Sequence, residues 1–220
     1  VSWCEEENGS GFWSLARHAD VIWANHEWDT FTSSLGIRLE EMDAEETEAR
    51  RTMMEKDPPD HTRLRRLLSR GFTRRSVEAY EDPIRELTVG IIESALELGE
   101  FDFVEEISRV LPMRMLGRLL DVSDEDAARF VVWGDQLLSN TDPEYTDHVV
   151  DQVDTDDYRL IPFRSPAGLE VFRYAQEVAA KRRACLGHDI ISQLLNPTTD
   201  GEPLSDLEFN NFFTLLVAAG

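Results

Sequence analysis

Asp57-Pro58-Pro59-Asp60-His61-Thr62-Arg63-Leu64-Arg65-Arg66-Leu67-Leu68-Ser69-Arg70-Gly71-Phe72-Thr73 is the stretch that decides how the rest of the chain is read. Its two prolines stop one element and open the next, because proline suits a helix start and damages a helix interior. Leu64, Leu67, Leu68 and Phe72 then recur at helical spacing, and Gly71 marks where that helix loosens. His61 and Arg65 are four apart, so they share one face. Their N–H donors stand side by side there, a pairing suited to carboxylates. The plainer reading of the same residues is a basic face saturated by the chain's own acids.

Downstream the pattern stays helical. Pro83 opens a helix with the stripe Ile84, Leu87, Ile91, Ile92, Ala95, Leu96, ending near Gly99. Phe103 to Leu120 reads as a third helix, kinked at Pro112. Ser123-Asp124-Glu125-Asp126 supplies an N-cap and first-turn acids to a fourth, which carries Phe130, Val131, Trp133, Leu137 and Leu138. Residues 140–168 hold Pro143, Pro162 and Pro166 with an acidic knot at Asp154, Asp156 and Asp157. A connection that long is functional or mobile. Leu169 to Ala184 and His188 to Leu195 read as helices, 196–201 as a turn. Ser205 then caps a last helix through Phe209, Phe212, Phe213, Leu216 and Val217, apolar all round and so buried and central. Upstream, 11–17 reads as a short strand, His18 to Trp28 as a short helix and 30–34 as another strand. The acidic stretch from Leu39 to Arg51 reads as a loop or exposed helix outside the core.

With 41% apolar and 9% aromatic residues, the 220-residue chain can bury a sizeable core, which excludes wholesale disorder. Its length fits a single domain over 1–220 or a piece of something larger, and the missing initiator Met and the apolar run into Gly220 predict a domain cut at both ends. Lys+Arg number 22 against 44 Asp+Glu, a net charge of −22, which repels phosphate backbones and anionic lipid. No nucleic-acid or membrane partner is therefore expected. Neither a run of 18 apolar residues nor a basic leader is present. Only Lys56 and Lys181 are lysines, a profile similar to high-salt or GC-rich microbial proteins. Cys4 and Cys185 are far apart and outside any CxxC, which fits a reducing cytoplasm. The five histidines show no metal-binding spacing, so no protein-held metal site is expected. There is no GxSxG, GxGxxG or glycine-rich phosphate loop.

The Asp57–Arg66 stretch followed by Gly71-Phe72-Thr73 resembles the C helix of bacterial cytochrome P450 monooxygenases. Residues 11–13, 19–21 and 31–34 are similar to that family's first sheet and B helix, and 189–195 to its H helix. Leu215-Leu216-Val217-Ala218-Ala219-Gly220 resembles the start of its I-helix signature, Ala-Gly-x-Glu/Asp-Thr. The likeness runs through the chain in the family's order and is nearest to actinobacterial groups that oxidise steroid side chains and branched lipids. It implies a mainly α fold, the N-terminal and distal half of the cytochrome P450 fold with a small N-terminal β-sheet. It implies haem b as cofactor, its propionates held by His61 and Arg65. The implied reaction inserts one oxygen atom from dioxygen into a C–H bond of a mostly apolar small molecule: a steroid, lipid or aromatic, with or without an acidic group. Electrons would come from NAD(P)H through a ferredoxin or flavodoxin and its reductase, in the cytoplasm. Ala219 and Gly220 would form the I-helix widening that admits dioxygen. Leu215, Ala218 and Ala219 share a face and would line the substrate pocket. Residues 140–168 would roof it, Phe163 giving apolar contact and Arg159 and Arg164 a cationic clamp for an acidic end group. The plainer reading pairs those arginines with Asp154, Asp156 and Asp157.

Several of the family's parts are expected beyond Gly220: the acid–Thr pair, the Glu-x-x-Arg and the Phe-x-x-Gly…Cys-x-Gly loop of the axial thiolate. Cys185-Leu186-Gly187 mimics Cys-x-Gly, but Lys181-Arg182-Arg183-Ala184 before it lacks the Phe and Gly. Cys185 is therefore read as an ordinary, partly buried thiol. A reading from another class is a non-catalytic acidic helical binding module, should the chain end at Gly220.

Overall fold

A computed structural model describes residues 1–6, 9–38, 42–69, 73–150, 152–185, 187, 190–195 and 203–219. It opens with an antiparallel ribbon, β1 (Ser2–Cys4) on β2 (Phe12–Ser14), in which Trp3 faces Trp13. Helix α1 (His18–His26) follows and buries none of its residues. Residues 30–34 turn rather than extend. The Asp57 carboxylate takes hydrogen bonds from the Thr32 hydroxyl and, at 3.0 Å, from the Ser33 N–H. Side-chain bonds of that kind compete with a strand ladder. Helix α2 (Ala44–Ala49) starts at a capping box, Asp43 accepting the Glu46 N–H at 2.9 Å and Glu46 accepting the Asp43 N–H at 3.0 Å. Although this stretch reads as non-core, Glu46 and Arg50 are buried.

Helix α3 (Asp60–Ser69) begins directly after Pro59 and buries Leu64; Gly71 and Phe72 lie outside the described residues. After α4 (Arg74–Glu78), α5 (Glu81–Glu97) buries Leu87, Ile91 and Ala95, spaced four apart. The predicted third helix is interrupted by a π-helical segment, Val104–Ser108, ahead of α6 (Val110–Leu119). Pro112 offers no N–H to the Ser108 carbonyl and its ring crowds that oxygen. The Arg109 N–H bonds Val104 O, five residues back, so the disturbance falls one turn before the proline.

Helix α7 (Asp124–Leu138) is capped as expected, with Ser123 accepting the Asp126 N–H at 3.1 Å. Helix α8 (Pro166–Ala184) starts three residues earlier than the apolar pattern shows, because Ser165 caps it and Pro166 sits at its first position. Helices α9 (Ile190–Leu195) and α10 (Asp206–Ala219) complete the chain. Helix α10 packs against α6, α7 and α8, and α3 packs against α9. Phe130, Trp133, Tyr174, Phe209 and Phe213 form the centre of that bundle, with ring centroids 5.6–6.1 Å apart. Gly134 lets α7 approach its neighbours: a Cβ there would meet Met113 Cε at 2.7 Å and the Val217 carbonyl at 3.2 Å.

Candidate functional site

Two features stand out, a helix face and a cavity. On α3, His61 is half-buried and Arg65 exposed. Neither side chain has a hydrogen bond or ion pair among the described residues, and the same holds for exposed Arg66. Arg63, on the other side of the helix, donates to Glu208 Oε1 at 2.5 Å. Saturation by the chain's own acids therefore describes Arg63 but not the His61/Arg65 face. In a chain with twice as many acids as bases, two donors on one helix face nonetheless have no carboxylate partner among the described residues. Asp57, one turn earlier, fixes how the chain enters α3. The Thr32 hydroxyl and then the Ser33 N–H hold its carboxyl below the usual carboxylate range.

A cavity of ≈ 340 Å³ lies at the C-terminal end of α10. Phe163, Leu215, Ala218 and Ala219 all line it, so four of the residues chosen from the sequence meet at one place. Gly220 lies outside the described residues. Arg159 and Arg164 are not among the lining residues. Arg159 donates to Asp43 at 2.7 Å and also to Glu45, with Glu46 at 4.0 Å. The Glu45 hydrogen bond, above all, holds the Arg159 guanidinium in its charged form. Arg164 donates to Asp156 at 3.2 Å. The long connection is thus tied to the start of α2 by Arg159, and again where the Arg38 guanidinium lies 4.2 Å over the Phe163 ring. Phe163 and Arg164 both have left-handed backbones, φ 64° and 48°, strained for residues with a Cβ. Asn140 Nδ2 holds that turn by donating to the Phe163 carbonyl at 2.7 Å.

The other wall comes from residues that the sequence did not single out: Ile37, Arg38, Met42, Arg50, Met54 and Glu55 among them. Arg50 and Glu55 are buried charges, 6% and 8% exposed, and with Arg38, Thr47 and Thr52 they make the polar part of a wall whose apolar part is Ile37, Met42 and Met54. Glu55 is oriented by the Thr52 N–H at 2.8 Å. Met42 and Met54 inside an acidic stretch were the available signal. The arrangement suits an apolar body with a polar corner. Cys185 is exposed at the end of α8 rather than partly buried, and neither cysteine lines the cavity. Among the described residues no three His, Cys, Asp or Glu side chains could hold a metal ion, and no helix is long and apolar enough to cross a membrane.

No family model matches the chain. The steroid C26-monooxygenase of Mycolicibacterium smegmatis is 32% identical over 231 aligned positions, covering 100% of this chain and 51% of that protein. The steroid C26-monooxygenase of Mycobacterium tuberculosis is 34% identical over 215 positions, 96% of this chain and 46% of that one. The structure of Mycobacterium marinum cytochrome P450 CYP268A2 in complex with pseudoionone superposes with a TM-score of 0.83 at 32% identity, over 100% of this chain and 53% of that one. The chain spans about half the length of the relatives it matches.

Proposed function

We propose that this chain, which belongs by sequence and fold to the cytochromes P450, forms the propionate-binding and distal part of a haem-thiolate monooxygenase. The activity is insertion of one oxygen atom from dioxygen into a C–H bond of a mostly apolar small molecule. The steroid C26-monooxygenase relatives support a steroid-like or lipid-like substrate. The observation that carries the reading is the His61/Arg65 face, two donors with no carboxylate partner among the described residues.

The donor set fits the carboxylate end of haem b, since a histidine and an arginine on one face match two propionates. When bound, haem b supplies a redox-active iron for dioxygen activation. His61 and Arg65 hold and neutralise the propionates. Leu215, Ala218 and Ala219 keep the α10 wall apolar and low, and Phe163 closes the opposite side. Ala219 brings a small side chain to the end of that wall, as passage of dioxygen would need. The thiolate that this reading needs is not assigned to Cys185, because Lys181-Arg182-Arg183-Ala184 before it lacks the Phe and Gly of the family's thiolate loop. Electrons arrive from NAD(P)H through a ferredoxin or flavodoxin and its reductase. Arg159 and Arg164 serve an acidic end group only by leaving their carboxylates, whereas Arg38 and Arg50 already line the cavity.

The test uses the full-length polypeptide. His61→Ala with Arg65→Ala should weaken haem retention and leave folding intact, and unchanged haem occupancy would overturn the assignment. Ligand-induced spectral shifts across neutral and anionic lipophiles test the cavity. No response to any apolar compound sinks it. Unchanged anionic affinities in Arg159→Ala and Arg164→Ala remove the clamp.

A further inference from the structure

One carboxylate joins the two helices on which the proposed function rests. Glu208 is the third residue of α10. Its Oε2 accepts the Ser205 N–H at 3.1 Å and the Ser205 hydroxyl at 3.2 Å, while Ser205 Oγ accepts the Glu208 N–H at 3.2 Å. This Ser-x-x-Glu capping box leaves Oε1 for other partners. Oε1 takes Arg63 Nη2 at 2.5 Å and Lys56 Nζ at 3.3 Å. Arg63 lies two residues from His61 and two from Arg65, about 200° round the helix from each. The back of α3 is therefore fastened to the first turn of α10, and its front keeps His61 and Arg65 clear of carboxylates. Burial raises the Glu208 carboxyl, but the Ser205 N–H and the charges of Arg63 and Lys56 outweigh it and keep it ionised. A void of ≈ 20 Å³, room for one water, sits against the carboxylate beside Arg51, Lys56, Leu64 and Phe212.

We propose that Glu208 is a positioning residue: it starts α10 and sets α3 on it, so that the His61/Arg65 face and the α10 wall of the cavity stay in fixed relation. The inference rests on reading His61 and Arg65 as propionate donors; Glu208 itself touches no haem.

Glu208→Gln separates the two roles, because glutamine can complete the capping box but cannot hold two cations. In full-length, haem-loaded protein, transfer of haem to excess apomyoglobin should become about fivefold faster, the scale expected when partly exposed charge pairs are lost. The propionate-bending bands of the resonance Raman spectrum should shift with it. Arg63→Gln should accelerate transfer less, because Lys56 keeps its pair with Glu208, and the double variant should match Glu208→Gln alone. Arg109→Gln breaks the ion pairs to Glu105 and Asp135 elsewhere in the bundle and should leave transfer unchanged. Equal acceleration in Arg109→Gln would mean general loosening and overturn the positioning role. If His61→Ala and Arg65→Ala speed transfer but Glu208→Gln and Arg63→Gln do not, the positioning role fails and the propionate reading stands. If His61→Ala and Arg65→Ala have no effect, both fall together.

Discussion

The α6–α10 bundle and the first 31 residues use aromatic side chains in opposite ways. Phe130, Phe209 and Phe213 are at most 1% exposed, whereas Trp3, Trp13, Trp23, Trp28 and Phe31 are 41–66% exposed. Ring geometry does not separate the two groups. Trp23 meets Phe31 edge to face at 5.0 Å, and Phe130 meets Tyr174 in the same way at 5.6 Å. An aromatic pair adds about 0.5–1.5 kcal/mol beyond burial, while burying the side chain itself is worth about 1.5–3 kcal/mol. What differs is whether helical periodicity gathers the rings on one side. In α7 and α10 it does; α1 has no such stripe and buries nothing.

Substitutions in the two regions should therefore diverge, and equilibrium urea unfolding measures how far. Phe213→Ala, at the centre of the bundle, should lose about 3–5 kcal/mol. Gly134→Ala should lose about 1–3 kcal/mol, because its Cβ would press on Met113 and on the Val217 carbonyl. Ser123→Ala removes the α7 cap and should lose about 1 kcal/mol. A smaller effect is expected in the acid limb of stability. The Glu208 carboxyl lies below its ordinary value of 4.5 in the folded chain. Its contribution is complete above that value and is lost as pH falls through the folded one. Glu208→Gln should flatten stability against pH below about 4.5, and an unchanged acid limb would refute this. Smallest of all, Trp13→Ala should cost about 0.5 kcal/mol, the usual scale for a surface change. A loss above about 2 kcal/mol there would break the comparison, since it would mean that the hairpin is covered.

The same contrast explains what could be read from the sequence. Periodicity and caps located α5, α7 and α10, because their signals lie within a few residues of one another. The turn at 30–34 was misread as a strand because its deciding partner, Asp57, is more than twenty residues away. The His61/Arg65 face was legible as a spacing, but its freedom from carboxylates was not, since Arg63 finds Glu208 only in the folded chain. Arg159 presents the sharpest case. Its local acids suggested one set of partners, yet folding pairs it with Asp43 and Glu45, over a hundred residues earlier. Half of the cavity was invisible for a related reason. Arg50 and Glu55 look like surface residues in an acidic run, and nothing local marks a charge that folding will bury.

The left-handed turn at Phe163 and Arg164 bears on how this pocket can change over evolutionary time. A residue with a Cβ in that conformation carries about 1–3 kcal/mol of strain, and here the strained residue is also a wall of the cavity. Most substitutions that enlarge a binding site weaken the fold that holds it. Phe163→Gly would remove a ring from the wall and relax the backbone in one step, the lost Arg38 contact and the ring's packing against the core offsetting that relief. At this position, a switch towards bulkier ligands runs downhill in backbone strain, which makes the turn a natural first site for directed evolution.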